Sequence, residues 1–243
     1  MLKRCLLLLA LCLISGSAAA SGLQVSPVTL NLQPRQMADG IWLSNVADQS
    51  LYAQVRVYHW VQQNGQQQLI PSQGLIISPP LLQIAPGDRQ LVRVIRLSGP
   101  PAGPGAVEDA YRLAIDELPV ASDGKNHGLR FVLHYSIPIF LEPAGIAAPA
   151  PRLHWDLVRH NNQVLLQVSN DGTGHAQLSA VHFVSGGHAG TVTDGLLGYV
   201  LPGAMMQFAL RQAPSSFVGR VTFTAVVNGS SMAQDVSLAD SAR

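Results

Sequence analysis

The chain has 243 residues, 47% of them hydrophobic and 12% charged, with 15 Lys+Arg against 14 Asp+Glu. That is apolar enough to bury a sizeable core, and too near neutrality to draw nucleic acid or acidic lipid by charge alone. The two cysteines, Cys5 and Cys12, both precede Ala20, so past that point a disulfide or a thiolate site is excluded.

The N-terminus is read as an export signal of bacterial type. Lys3 and Arg4 form a short positive region, residues 6–14 are only Leu, Ile, Ala and Cys, and Ala18-Ala19-Ala20 fits small-x-small before a cut. The apolar run is about half the ~20 residues a spanning helix needs, so no membrane insertion is expected. Leu11 stands before Cys12 where lipoprotein processing wants a small residue. Residues 1–20 are therefore expected to be removed. Losing Lys3 and Arg4 takes Lys+Arg from 15 to 13 against 14 Asp+Glu.

Beyond the signal the recurrent pattern has period two. Segment 24–32 places Val28, Leu30 and Leu32 on one face. Segment 52–61 sets Val55, Val57 and His59 against Gln54, Arg56 and Tyr58. Segment 91–97 sets Leu91, Arg93, Ile95 and Leu97 against Val92, Val94 and Arg96. Residues 111–118 form a further strand, 119–128 a polar connection, and 129–140 a long strand with Leu129, Phe131, Leu133 and Tyr135 on one side. Strands are also expected at 163–169, 177–184, 207–210, 221–227 and 233–238, divided by Gly, Pro, Asn and Asp. No sustained 3.6-residue stripe appears, so the fold class is all-β, of sandwich type. Residues 144–151 (Ala-Gly-Ile-Ala-Ala-Pro-Ala-Pro) lack charge and alternation. They divide the chain into a domain at 21–143 and a domain at 152–243, each the size of one immunoglobulin-like sandwich. Residues 98–105 (Ser-Gly-Pro-Pro-Ala-Gly-Pro-Gly) read as a surface loop.

Catalytic signatures are missing. No HExxH and no Gly-x-Ser-x-Gly occurs, and Glu108-Asp109 and Asp116-Glu117 are adjacent pairs, which point to opposite faces of a strand. His175, His182 and His188 lie among Gly-rich turns, so a secreted copper or zinc sandwich is an alternative. Loop and surface histidines are the preferred reading, with no catalytic residue, metal or cofactor expected. The strand at 129–140 has two readings: a core strand, or a sheet edge lent to a partner, since a long apolar edge invites pairing.

The stretch Ser78-Pro79-Pro80-Leu81-Leu82-Gln83-Ile84-Ala85-Pro86-Gly87-Asp88-Arg89-Gln90-Leu91-Val92-Arg93-Val94 resembles the signature of the periplasmic chaperones of the chaperone–usher pilus pathway. Val25-Ser26-Pro27, Leu43-Ser44-Asn45, Tyr111 to Pro119 and Tyr135-Ser136-Ile137-Pro138-Ile139-Phe140 with Pro143 follow in that family's order. Leu166-Gln167-Val168-Ser169-Asn170-Asp171-Gly172 and His175-Ala176 resemble its second domain. The resemblance implies two immunoglobulin-like sandwiches set as a boomerang. It implies a periplasmic protein that caps pilin subunits by donor-strand complementation, delivers them to an outer-membrane usher, and can self-associate when free. Leu129, Phe131, Leu133 and Tyr135 would be the donated row. A structural pilus subunit is a further alternative, but such a subunit would lack its own final strand.

One departure from the family stands out. Its better-known members hold the subunit's terminal carboxylate between two basic residues, whose positions here are Thr29 and Pro138. Ser136-Ile137-Pro138 in place of the basic segment resembles the archaic, or sigma-type, branch. Arg112 is the first candidate for a replacement anchor, since folding the hairpin about 119–129 sets it opposite Ser136, where its fork suits a carboxylate. A surface position, or a pair with Glu108 or Asp116, is its other reading. Arg130, facing away from the apolar row, is the second candidate. Arg93 is expected to brace the fold. Glu108 matches an acidic position used between domains, but its usual basic partner aligns with Glu142.

Overall fold

The computed structural model describes residues 22–119, 132–145 and 148–240. In chain order the first half forms β1 (Leu23–Ser26), β2 (Leu30–Leu32), β3 (Ala38–Asn45), β4 (Leu51–Gln63), β5 (Gln66–Pro71), β6 (Leu75–Ser78), β7 (Leu81–Ile84), β8 (Arg89–Arg96), β9 (Asp109–Leu118) and β10 (His134–Leu141). One sheet has the order β1-β3-β8-β6, and the other β2-β10-β9-β4-β5 with β7 also on β4. Alternation makes each sheet apolar on its inner face. Ile41, Leu43, Val92 and Val94 from the first meet Val55, Leu113, Ile115 and Ile139 from the second in one buried cluster.

The period-two reading of 24–32 as one strand is corrected. The chain changes sheets there: β1 pairs β3 in the first sheet, and β2 pairs β10 in the second. Pro27 lacks an N–H and stands at the crossing, and Val28 is exposed rather than in line with Leu30 and Leu32. A change of sheet resets the alternation, which a face count along one strand cannot register. Arg93 does not brace the fold either. It is exposed on the outer face of β8. Arg96, three residues on, is the buried arginine, and its Nη2 donates to the Pro34 carbonyl at 2.7 Å.

The second half forms β11 (Leu153–His160), β12 (Gln163–Asn170), β13 (Ala176–Ser185), β14 (His188–Val200), β15 (Met205–Leu210), β16 (Arg220–Val227) and β17 (Ser230–Asp240). They follow one path, β14-β13-β16-β17-β11-β12-β15. It folds over at β17, which pairs β16 antiparallel along its start and β11 in parallel at its end. The two layers enclose Leu166, Val168, Leu178 and Phe223. The long strand β14 has no clean alternation because glycines interrupt it. A Cβ at Gly190 would lie 2.4 Å from the Phe183 ring, so the glycine there makes room for that ring.

Each half is tied by a buried asparagine at the end of a strand. Asn45 Nδ2 donates to the carbonyls of Gln49 at 2.8 Å and Ile84 at 3.0 Å, and its Oδ1 accepts from Ala47 N. Asn170 repeats this: Nδ2 donates to Gly174 O and Val200 O, while Oδ1 accepts from Arg152 N and Gly172 N. One side chain thus satisfies four backbone groups, two of them in fully buried bonds. Asn170→Ala is expected to lower stability by about 3 kcal/mol, because an orphaned buried group costs roughly 1–3 kcal/mol. Urea unfolding measures it, with Ser169→Ala as the near-neutral control.

Candidate functional site: an open strand edge beside a cleft

β10 has a neighbour along its whole length on one side and along only part of it on the other. β9 pairs it from His134 to Leu141, but β2 joins its other side only from Ile139 to Leu141. The sheet change before β2 is the cause, since it removes the strand that would otherwise run on beside His134–Pro138. Leu133 O accepts from Glu117 N at 3.0 Å. By antiparallel alternation, the odd residues then bond to β9 and the main chain of His134 and Ser136 points to the open side. Pro138 lacks an N–H and closes the open stretch.

The odd side chains of β10 form one row. Ile137, Ile139 and Leu141 fill the core of the first sandwich, and Leu133 and Tyr135 pack half-buried at its margin. The Tyr135 hydroxyl donates to Leu23 O at 2.6 Å. Leu129, Phe131 and Arg130 lie outside the described residues. β10 itself begins at His134, later than the expected start at 129.

Arg112 lies directly opposite Pro138, not Ser136; the actual register places Ser136 opposite Ala114. The hairpin midpoint inferred from the sequence lies one residue off, which shifts the cross-strand partner by two. Thr29 and Pro138 stand immediately before the paired residues Leu30 and Ile139, so Arg112 is the direct cross-strand neighbour of Pro138, and Thr29 follows one strand further along the same row. Its guanidinium carbon is 3.7 Å from the Trp60 ring centre and 5.0 Å from that of Tyr199, which belongs to the second sandwich. Nη1 donates to Ser136 O at 3.3 Å. Burial lowers its pKa below the ordinary arginine value, with Tyr199 acting the other way. An arginine stays a cation under such a shift.

The expected alternatives for Arg112 are taken by other groups. Asp116 bonds to Arg56 Nη2 and His134 Nδ1, each at 2.5 Å. Glu108 Oε1 accepts from His175 N at 3.1 Å and lies 2.7 Å from His175 Nδ1. Among the described residues Arg112 has no carboxylate partner. Burial raises the Asp116 pKa, but hydrogen bonds from Arg56 and His134 outweigh it, and the net shift is downward. A lowered folded-state pKa contributes stability above the ordinary carboxylate range, and that stability is lost as pH falls through the folded value. Arg56→Ala is accordingly expected to flatten the fall of Tm below about pH 4.

Glu108 also resolves the brace that Glu142 could not supply. His175, from the second sandwich, is its partner, and the imidazole stacks on Phe140 at 3.5 Å and 4°. Gln62 reaches across as well. Its Nε2 donates to Tyr199 O at 2.9 Å, and Leu201 N donates to its Oε1 at 2.8 Å. Trp60, Ala110, Phe140, Tyr199, Leu201 and Ala204 pack as a buried cluster between the two sandwiches. Sequence reasoning missed Trp60, Gln62 and Tyr199, whose only sequence signal was two aromatics and an amide in strands. His182 sits apart from His175, with its Nδ1 3.1 Å from Thr191 Oγ1. Among the described residues no group of three His, Cys, Asp or Glu is placed to hold a metal ion.

The family model for pili and flagellar-assembly chaperones, PapD N-terminal domain, matches residues 22–147. No curated protein sequence matches the chain. Among solved structures the chain is similar to one in the CsuC–CsuE chaperone–tip adhesion subunit pre-assembly complex from archaic chaperone-usher Csu pili of Acinetobacter baumannii. Identity is 24%, covering 89% of this chain and 99% of that one, with a TM-score of 0.69. It is also similar to the Pseudomonas aeruginosa CupB2 chaperone, at 17% identity over 87% and 98% of the two chains and a TM-score of 0.57. The E. coli chaperone DraB shares 17% identity over 90% and 97%, with a TM-score of 0.59. At these identities the likeness is one of fold, and it extends over both sandwiches.

Proposed function

The chain belongs to the pili and flagellar-assembly chaperone family, and from that membership we propose that it works in the periplasm by lending β10 to pilus subunits and passing them to an outer-membrane usher. The observation that carries this reading is the open edge of β10 from His134 to Pro138. An added strand there gains main-chain hydrogen bonds from His134 and Ser136 whatever its sequence, which suits a carrier of several related subunits. Leu133 and Tyr135, continued by Leu129 and Phe131, would enter the subunit's open groove. Each buried side chain contributes on the order of 1.5–3 kcal/mol before ordering costs. The same row fills the chaperone's own core at its other end, through Ile137, Ile139 and Leu141, and so keeps the strand in place.

Arg112 takes the subunit's terminal carboxylate in this reading. Its guanidinium reaches Ser136 O on the open stretch, its strand position faces Pro138, and the acids around it have other partners. Arg130 is the second candidate. The domains at 21–143 and 152–243, with 144–151 between them, belong to the same proposal, as does self-association of the free chain through the open edge. No nucleotide or cofactor is required, since the driving force is the apolar burial left incomplete in the unassembled subunit.

Co-expression with pilins encoded beside the chaperone tests the proposal. A soluble one-to-one complex is expected, with Arg112→Ala weakening it about tenfold, the worth of one charge-assisted hydrogen bond. Pilins that stay insoluble with the wild-type chain, or are equally soluble without it, would remove the reading.

A further inference from the structure

We infer that Tyr199 is a positioning residue for subunit capture: with Trp60 it forms an aromatic corner that holds the Arg112 guanidinium at the open edge of β10. This rests on Arg112 as the carboxylate's anchor. It adds that the second sandwich has a part in recognition, through one ring.

Arg112 stands among acidic side chains. Asp109, Asp116 and Glu117 share its strand, and Glu108 immediately precedes it. An arginine with a flexible stem would ordinarily settle on one of them. All four are engaged elsewhere: Glu108 by His175, Asp109 by His59 and the Tyr111 hydroxyl, Asp116 by Arg56 and His134, and Glu117 by Leu133 N. The cation is held instead by two π-faces. The Trp60 and Tyr199 rings meet edge to face, 5.4 Å apart at 79°, so they make a corner and not a sandwich. A corner takes two sides of the guanidinium and leaves N–H groups free, with Nη1 reaching Ser136 O on the open stretch.

The corner is itself rigid. Tyr199 is buried, and the Gln62 amide grips the chain there, Nε2 donating to Tyr199 O and Oε1 accepting from Leu201 N two residues on. Its hydroxyl accepts from Gln177 Nε2 at 2.7 Å. Trp60 is buried on β4 and also contacts Phe140. A donor fork held this way is ordered before the ligand arrives, so little side-chain entropy remains to be lost on binding. The ligand class that fits is a chain-terminal carboxylate on an extended strand, since a planar anion matches the fork and the strand matches the edge.

The experiment uses the full-length chaperone and two peptides copying the last strand of a pilin that co-purifies with it. One peptide has a free C-terminal carboxylate and the other a C-terminal amide, and titration calorimetry gives the ratio of their Kd values. In the wild type the acid is expected to bind about tenfold tighter. Tyr199→Leu is expected to bring that ratio to about one while amide binding stays within about twofold. Tyr199→Phe, which keeps the ring and the Gln62 grip, is expected to keep the ratio. A folded Tyr199→Leu variant with the wild-type ratio overturns the inference. So does a Tyr199→Phe variant that loses the ratio, since the hydroxyl and not the ring would then matter. A wild-type ratio of one fails at the earlier step: it removes Arg112 as the anchor, and the role of Tyr199 with it.

Discussion

Leu133→Asp is expected to abolish capture of a pilin subunit while leaving a folded, cooperatively unfolding chaperone. In the free chain Leu133 packs half-buried at the margin of the first core, where a carboxylate can still turn toward water. The change should therefore cost the free protein only about 1–2 kcal/mol. In a subunit groove the same position has no water. Capture would lose the leucine's burial, on the order of 1.5–3 kcal/mol, and would also have to desolvate an unpaired charge at several kcal/mol. A loss of 4 kcal/mol or more is about a thousandfold in affinity. Pull-down of a co-expressed subunit measures capture, and urea unfolding measures the chaperone. Wild-type subunit yield with the aspartate variant would show that the β10 row is not donated. Ile137→Asp is the contrasting change. Ile137 is buried in the chaperone's own core, so its replacement should unfold the chain outright.

The sheets were largely legible because alternation is a direct record of a strand with one buried face. Val55, Val92, Val94, Leu113 and Ile115 all point where the period-two pattern puts them. The reading also passed over β5, β6, β7 and β11, and at two further places a tertiary event had interrupted the pattern. Val28 fell out of line because the chain changes sheets at Pro27, and β14 went unseen because Gly190, Gly195 and Gly198 remove side chains from its alternation. The site was legible only in part. β10, Arg112 and Glu108 could be named from the sequence, but Tyr199 and His175, which Arg112 and Glu108 meet, come from the other sandwich. Tyr199 is near neither Arg112 nor Gln62 in sequence, and His175 was prominent as a possible metal ligand. Contacts between two independently patterned sandwiches leave no periodic trace in either one. The register of Arg112 was missed by two residues because the length of a hairpin connection does not fix where its strands begin to pair.

Glu108→Ala is expected to uncouple the two sandwiches more than any other single truncation at their contact. Glu108 is 8% exposed and faces His175, whose backbone N and Nδ1 both meet its Oε1. Truncation leaves the His175 N–H without its acceptor in a half-buried place and removes the group that orients the imidazole on Phe140. One orphaned donor and one lost charge-assisted bond together amount to about 2–4 kcal/mol. The Gln62 amide and the Trp60 cluster remain, so each sandwich should keep its own fold. Calorimetry is the direct measurement. The wild type is expected to unfold in one transition, and Glu108→Ala in two, because coupling through the contact is what merges them. Adding Gln62→Ala should separate them further and by more than the sum of the single changes, since both clamps act on the same docking equilibrium. A single transition in the double variant, at the wild-type Tm, would mean that the apolar cluster alone docks the sandwiches and that the Glu108–His175 pair is incidental.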